Sequence, residues 1–107
     1  MANPKALVYE VNLSLPTDVS ADYVAWLKDF THEQCSRIDG FLESRIFRST
    51  SKPGNLRQHE YFTVHYIVRS QADLDRYLEN HQKELASAEK TKFRFLVTSR
   101  RVLELLD

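Results

Sequence analysis

Tyr61, Thr63 and His65 stand at alternate positions of the stretch His59-Glu60-Tyr61-Phe62-Thr63-Val64-His65-Tyr66-Ile67-Val68-Arg69, and Glu10 and Asn12 do the same within Ala6–Leu15. In an extended chain alternate residues share a face, so each set projects from one side of its strand. Imidazole titrates where proton transfer is useful near neutral pH, and a neighbouring carboxylate can orient the ring. His65 is therefore the candidate general base, oriented by Glu10 or Glu104. Glu10, Asn12, Arg45, Tyr61, Thr63, Arg100 and Glu104, with Glu43 beside them, are the candidate lining of a polar pocket for a small molecule. The same side chains could instead form cross-subunit ion pairs and hydrogen bonds that specify a dimer, because structural ion pairs gather these residue types too.

Other candidates for chemistry are weaker. The four histidines, at 32, 59, 65 and 81, include no close helical pair. His32 and Cys35, three residues apart, are the only spacing that resembles two metal ligands. Cys35 borders an apolar stripe and reads better as a small buried hydrophobe. His81, between Leu78 and Leu85, reads as a core histidine, His32 as exposed, and Trp26 as a ring closing a core edge. With Gly40 and Gly54 the only glycines, there is no phosphate-cradling loop. No metal and no cofactor is expected.

The elements that must position these groups follow from periodicity. Ala6–Leu15 alternates Leu7, Tyr9, Val11, Leu13 and Leu15 with Val8, Glu10, Asn12 and Ser14, and Pro16 ends it. Thr17-Asp18-Val19-Ser20 carries oxygen side chains that suit a helix start, and a helix is predicted from Ala21 to Arg37. Its buried stripe is Tyr23, Val24, Leu27, Phe30, Thr31, Gln34 and Ile38, with Cys35 at the border. Gly40 stops it. Leu42–Ser49 is predicted as an edge strand, with Leu42, Ser44, Ile46 and Arg48 on one side and Glu43, Arg45 and Phe47 on the other. Pro53-Gly54 suits a type II turn before the central strand 59–69, whose Phe62, Val64, Tyr66 and Val68 form the apolar face. Ser70 caps a second helix with the stripe Leu74, Tyr77, Leu78, His81, Leu85 and Ala88. Lys90–Val97 fits either a strand or a helical turn, and Ser99–Leu106 is the last strand.

The order β-α-β-β-α-β is the ferredoxin-like, or split βαβ, arrangement of an α+β fold. Right-handed crossovers then place strands one and three in the centre of a four-stranded antiparallel sheet, with both helices on one face. The helix-free face, carrying Val8, Tyr61 and Ile67, would leave a part-apolar patch in water, which monomers seldom tolerate. A homodimer through that face is the expected remedy.

Composition closes several alternatives. At 107 residues one domain, 1–107, is expected to stand without disulfides. Fifteen basic residues balance fifteen acidic ones, so a nucleic-acid partner has no electrostatic footprint. No apolar run is long enough for a membrane span, and the opening residues carry no apolar signal region, so a cytoplasmic location is expected.

At this point the chain resembles the uncharacterised domain-of-unknown-function 4286 family, within the dimeric α/β-barrel superfamily. The residues that carry the resemblance are Val8-Tyr9-Glu10-Val11-Asn12-Leu13, Trp26-Leu27, Gly40-Phe41, Phe62-Thr63-Val64-His65-Tyr66, Asp73-Leu74 with Tyr77, and Arg101-Val102-Leu103-Glu104. His32 matches a family histidine, but Glu33-Gln34 replaces the Ile-Pro pair that usually follows it. The resemblance implies a homodimer whose sheets pack into a barrel, in a superfamily that includes cofactor-free monooxygenases, haem-degrading enzymes, isomerases and ligand-sensing domains. Two functions are expected to compete: a dimer that binds a small molecule in the barrel or serves a regulatory role, and a cofactor-independent monooxygenase or isomerase using His65 as acid/base.

Overall fold

Pro16 turns the first strand directly into the first helix. Its φ of −57° and ψ of 140° are still extended, and helical geometry begins at the next residue. The computed structural model describes residues 6–50, 59–80 and 97–106. Their elements run β1 (Leu7–Pro16), α1 (Thr17–Arg37), β2 (Phe41–Arg48), β3 (His59–Val68), α2 (Gln71–Asn80) and β4 (Val97–Glu104). The strands form one antiparallel sheet in the order β2-β3-β1-β4, the arrangement that right-handed crossovers predict.

The helices cover one face of this sheet. Tyr9, Val11, Leu13 and Leu15 of β1 and Phe62, Val64, Tyr66 and Val68 of β3 are buried there against Tyr23 and Leu27 of α1 and Leu74 and Tyr77 of α2. The predicted α1 stripe holds through Thr31, Gln34 and Ile38, with Val24, Trp26, Phe30 and Cys35 packed at its margin. Aromatic rings tie the layers together: Phe41 lies 4.7 Å from Tyr77 and 5.4 Å from Tyr66, and Tyr9 lies 6.0 Å from Tyr77.

Two local expectations are corrected. The helix begins at Thr17 rather than Ala21, and no side chain caps it. The Ser20 hydroxyl instead lies 3.1 Å from the Thr17 carbonyl and 3.3 Å from Glu60 Oε1, sharing its one proton between α1 and β3. In β2 the alternation slips between Phe41 and Glu43, where the pairing with β3 is irregular. Phe41 is thereby buried on the helix side, while Leu42, expected beside Ser44 and Ile46, is 59 % exposed.

At the sheet's other end the capping chemistry is as predicted: the Asp73 amide donates to Ser70 Oγ at 3.2 Å. Leu74 and Tyr77 are buried and Leu78 is half-buried. His81, Leu85 and Ala88, the undecided segment before Val97, and the Pro53-Gly54 turn lie outside the described residues. The last strand begins two residues earlier than expected, at Val97, and ends at Glu104, leaving Leu105 and Leu106 exposed beyond it.

Candidate acid–base site on the helix-free sheet face

Strand register decides which polar groups meet. Across the four strands, Arg45, His65, Glu10 and Arg101 stand in one row, because Glu10 pairs with His65 on one side and Arg101 on the other, and His65 pairs with Arg45. The next row is Phe47, Thr63, Asn12 and Ser99, and the row on the other side is Glu43, Ile67, Val8 and Leu103. A charged centre is thus flanked by an apolar margin.

Glu10 is the hub. It is 5 % exposed although no helix covers this face. Its Oε1 lies 2.8 Å from His65 Nε2, and its Oε2 accepts from Arg101 Nε and, at 3.1 Å, from Asn12 Nδ2. Asn12 Nδ2 also lies 3.1 Å from Ser99 Oγ, while Thr63 Oγ1 donates to Asn12 Oδ1 at 2.6 Å. Burial pushes the Glu10 carboxyl upward, but the hydrogen bonds from Arg101, His65 and Asn12 outweigh it and hold the group at about 2. An ionised carboxylate only accepts, so Nε2 of His65 carries the proton toward Glu10. The Phe47 ring stands edge-on to His65 at 5.0 Å. Among the described residues nothing bonds Nδ1 of His65, so that nitrogen is chemically able to accept a proton.

Of the predicted lining, Glu10, Asn12, Thr63 and His65 form one connected network. Arg45 stands beside His65, but its Nε pairs with Glu43 Oε1 at 2.9 Å and both side chains are well exposed. Tyr61 is on the correct face opposite Ser14, with its hydroxyl buried and without a hydrogen-bond partner among the described residues. Arg100 and Glu104 are corrected. They pair with Val11 and Leu7, whose side chains are buried on the helix side, so they belong to the opposite face, and Arg101 takes the place beside Glu10. Sequence reading missed Arg101, Ser99 and Phe47. In Arg100-Arg101-Val102-Leu103-Glu104 both alternate sets mix charge with an aliphatic residue, so no apolar face assigns the side.

The remaining candidates do not extend the site. His59 Nδ1 contacts Ser14 Oγ at 3.0 Å at the far end of the same face. His32 is exposed, and burial raises the half-buried Cys35 thiol above its ordinary range. Among the described residues no cluster of three or more His, Cys, Asp or Glu side chains could hold a metal ion. A separate cleft of about 230 Å³ lies near the α1–β2 turn, lined by Arg37, Ile38, Asp39, Asp73, Arg76 and Tyr77. Its Asp73 carboxylate is already held by Arg69, Ser70 and Arg76 at 2.7–3.0 Å.

Residues 6–106 match the family described as Domain of unknown function (DUF4286). The chain belongs to the DUF4286 family. Solved structures share the DUF4286 fold seen here at low identity. A conserved protein from Methanosarcina mazei Go1 is 12 % identical, with 96 % of this chain and 93 % of that one covered and a TM-score of 0.64. A candidate monooxygenase from Shewanella loihica PV-4 is 13 % identical, with 96 % and 97 % covered and a TM-score of 0.61. A dimeric ferredoxin-like protein of unknown function from Jannaschia sp. CCS1 is 14 % identical, with 94 % and 99 % covered and a TM-score of 0.57. At such identities the likeness establishes the fold alone. No curated protein matches this DUF4286 chain. Among its described residues no helix is long and apolar enough to cross a membrane.

Proposed function

We propose that this DUF4286 protein is a homodimer whose two helix-free sheet faces pack together and enclose a small organic molecule beside His65. One observation carries the reading: on a face without a helical cover, Glu10 is nonetheless buried and bonded to His65, Arg101 and Asn12 at once. Solvated sheet faces ordinarily carry polar groups that bond to water, whereas a connected network built on a buried carboxylate pre-orients its members for a partner. Val8, Ile67, Leu103 and Phe47 around the network supply an apolar wall, and the dimeric neighbour with this fold lends support to the assembly.

A second reading keeps the same pocket and adds turnover. The Glu10–His65 contact resembles the carboxylate–imidazole pair that holds a general base in one tautomer, which favours a cofactor-independent monooxygenase or isomerase. The neighbouring candidate monooxygenase is compatible with it at the level of fold.

Sedimentation equilibrium tests the assembly, with twice the 12.6 kDa chain mass expected at micromolar concentration and a stable monomer defeating it. A fragment library screened by nuclear magnetic resonance tests the pocket: binders should shift the His65 ring and Thr63 amide signals. If every binder maps to other surfaces, the pocket is wrong.

A further inference from the structure

Arg101 contacts Glu10 through Nε alone. A guanidinium carries five N–H donors in a rigid planar fork, and Nε uses only one of them. Among the described residues neither terminal nitrogen of Arg101 has a partner, and the side chain is 65 % exposed although its Nε is anchored. Glu10 therefore holds each of two groups by a single nitrogen, Arg101 by Nε and His65 by Nε2, and their other nitrogens have no partner among the described residues. Because Arg101 and His65 are on the two strands flanking Glu10, and adjacent strands lie about 4.8 Å apart, one small molecule can reach both.

We infer that the ligand of this pocket is a small organic acid whose carboxylate docks on the terminal nitrogens of Arg101, with its apolar body toward Val8, Leu103 and Ile67 and its neighbouring atoms facing Nδ1 of His65. This rests on the reading of the helix-free face as a ligand pocket. A planar carboxylate matches the fork with two parallel hydrogen bonds, which a lysine at this position could not offer. Charge favours a monoanion: Arg101 is already paired with the Glu10 carboxylate, so a dianionic phosphate would meet stronger repulsion from that buried carboxylate than a singly charged acid. Glu10 here is a positioning residue. It sets the plane of the guanidinium and the orientation of the imidazole without touching the acid.

Benzoate and phenylacetate, their neutral amides, and inorganic phosphate are the probes, titrated into the full-length protein while heteronuclear spectra follow the Arg101 Nε–H and His65 ring signals. At least one acid should bind, and its affinity should exceed that of its amide about tenfold or more, as charge-assisted hydrogen bonds require. R101Q should lose that preference and R101K, which keeps the charge but not the fork, should weaken it, while circular dichroism matches wild type because Glu10 retains His65 and Asn12 as partners. Equal binding of acids and amides, an unchanged preference in R101K, or phosphate outcompeting both acids overturns the inference while leaving the pocket itself standing. If neither acid binds, the inference also fails. If, in addition, the fragment library finds nothing beside His65, the pocket reading falls with it.

Discussion

Asp73 fills the space that a side chain on Gly40 would need. A Cβ at Gly40 would overlap the Asp73 carboxyl group, and the backbone φ of Gly40 is +92°, a conformation that glycine alone adopts without strain. The Arg69 amide donates to the Gly40 carbonyl at 2.8 Å, so the α1–β2 turn, the end of β3 and the start of α2 are fixed as a unit. Gly40→Ala is therefore expected to cost about 2–4 kcal/mol, combining left-handed strain with overpacking. Chemical denaturation measures it. A loss within about half a kcal/mol would mean that the turn relaxes freely.

Two leucines of α2 should separate cleanly. Leu74 is fully buried, whereas Leu78 is only half-buried at the margin of the core. Leu74→Ala, like Leu27→Ala in α1, is expected to destabilise by about 2–5 kcal/mol, and Leu78→Ala by distinctly less. Urea midpoints for the three variants provide the comparison, and an equal or larger effect at Leu78 would contradict the packing of α2.

Acid should unfold the protein partly through Glu10. Its carboxyl is held at about 2 in the folded chain against an ordinary value of 4.5, so the unfolded chain binds the proton more readily. The stabilisation is complete above about pH 5 and is lost as the pH falls from 4.5 toward 2, amounting to about 2–3 kcal/mol. Asp73, held below its ordinary range by Arg69 and Ser70, adds a loss in the same direction. Comparing wild type with Glu10→Gln at pH 7 and pH 3 isolates the Glu10 share. Parallel pH dependence in the two would remove it.

His65→Ala distinguishes a pocket from a structural ion pair. Glu10 keeps Arg101 and Asn12 as partners after the change, so the carboxylate is not left bare. Dimer dissociation and the thermal midpoint should remain near wild type while binding of fragments beside residue 65 is lost. A dimer weakened by about 1–3 kcal/mol with fragment binding intact would assign His65 to the interface instead.

Periodicity determined the main elements and the right-handedness of crossovers the strand order, because each core position repeats a simple demand: Phe62, Val64, Tyr66 and Val68 must share a face, and so must Tyr23, Leu27, Thr31 and Ile38. The same alternation put Glu10, Asn12, Thr63 and His65 together, since their strands each have one clearly apolar side that leaves the other side unambiguous. Where both sides are mixed, sequence is silent. Only the pairing of β4 with β1 set Arg101 opposite Glu10 and turned Arg100 and Glu104 away, since a one-residue shift in register exchanges every side chain between faces. The bulge at Leu42 and the uncapped start of α1 behind Pro16 are likewise tertiary decisions. In both, burying Phe41 and seating Ser20 against Glu60 outweighed the local preference of the chain.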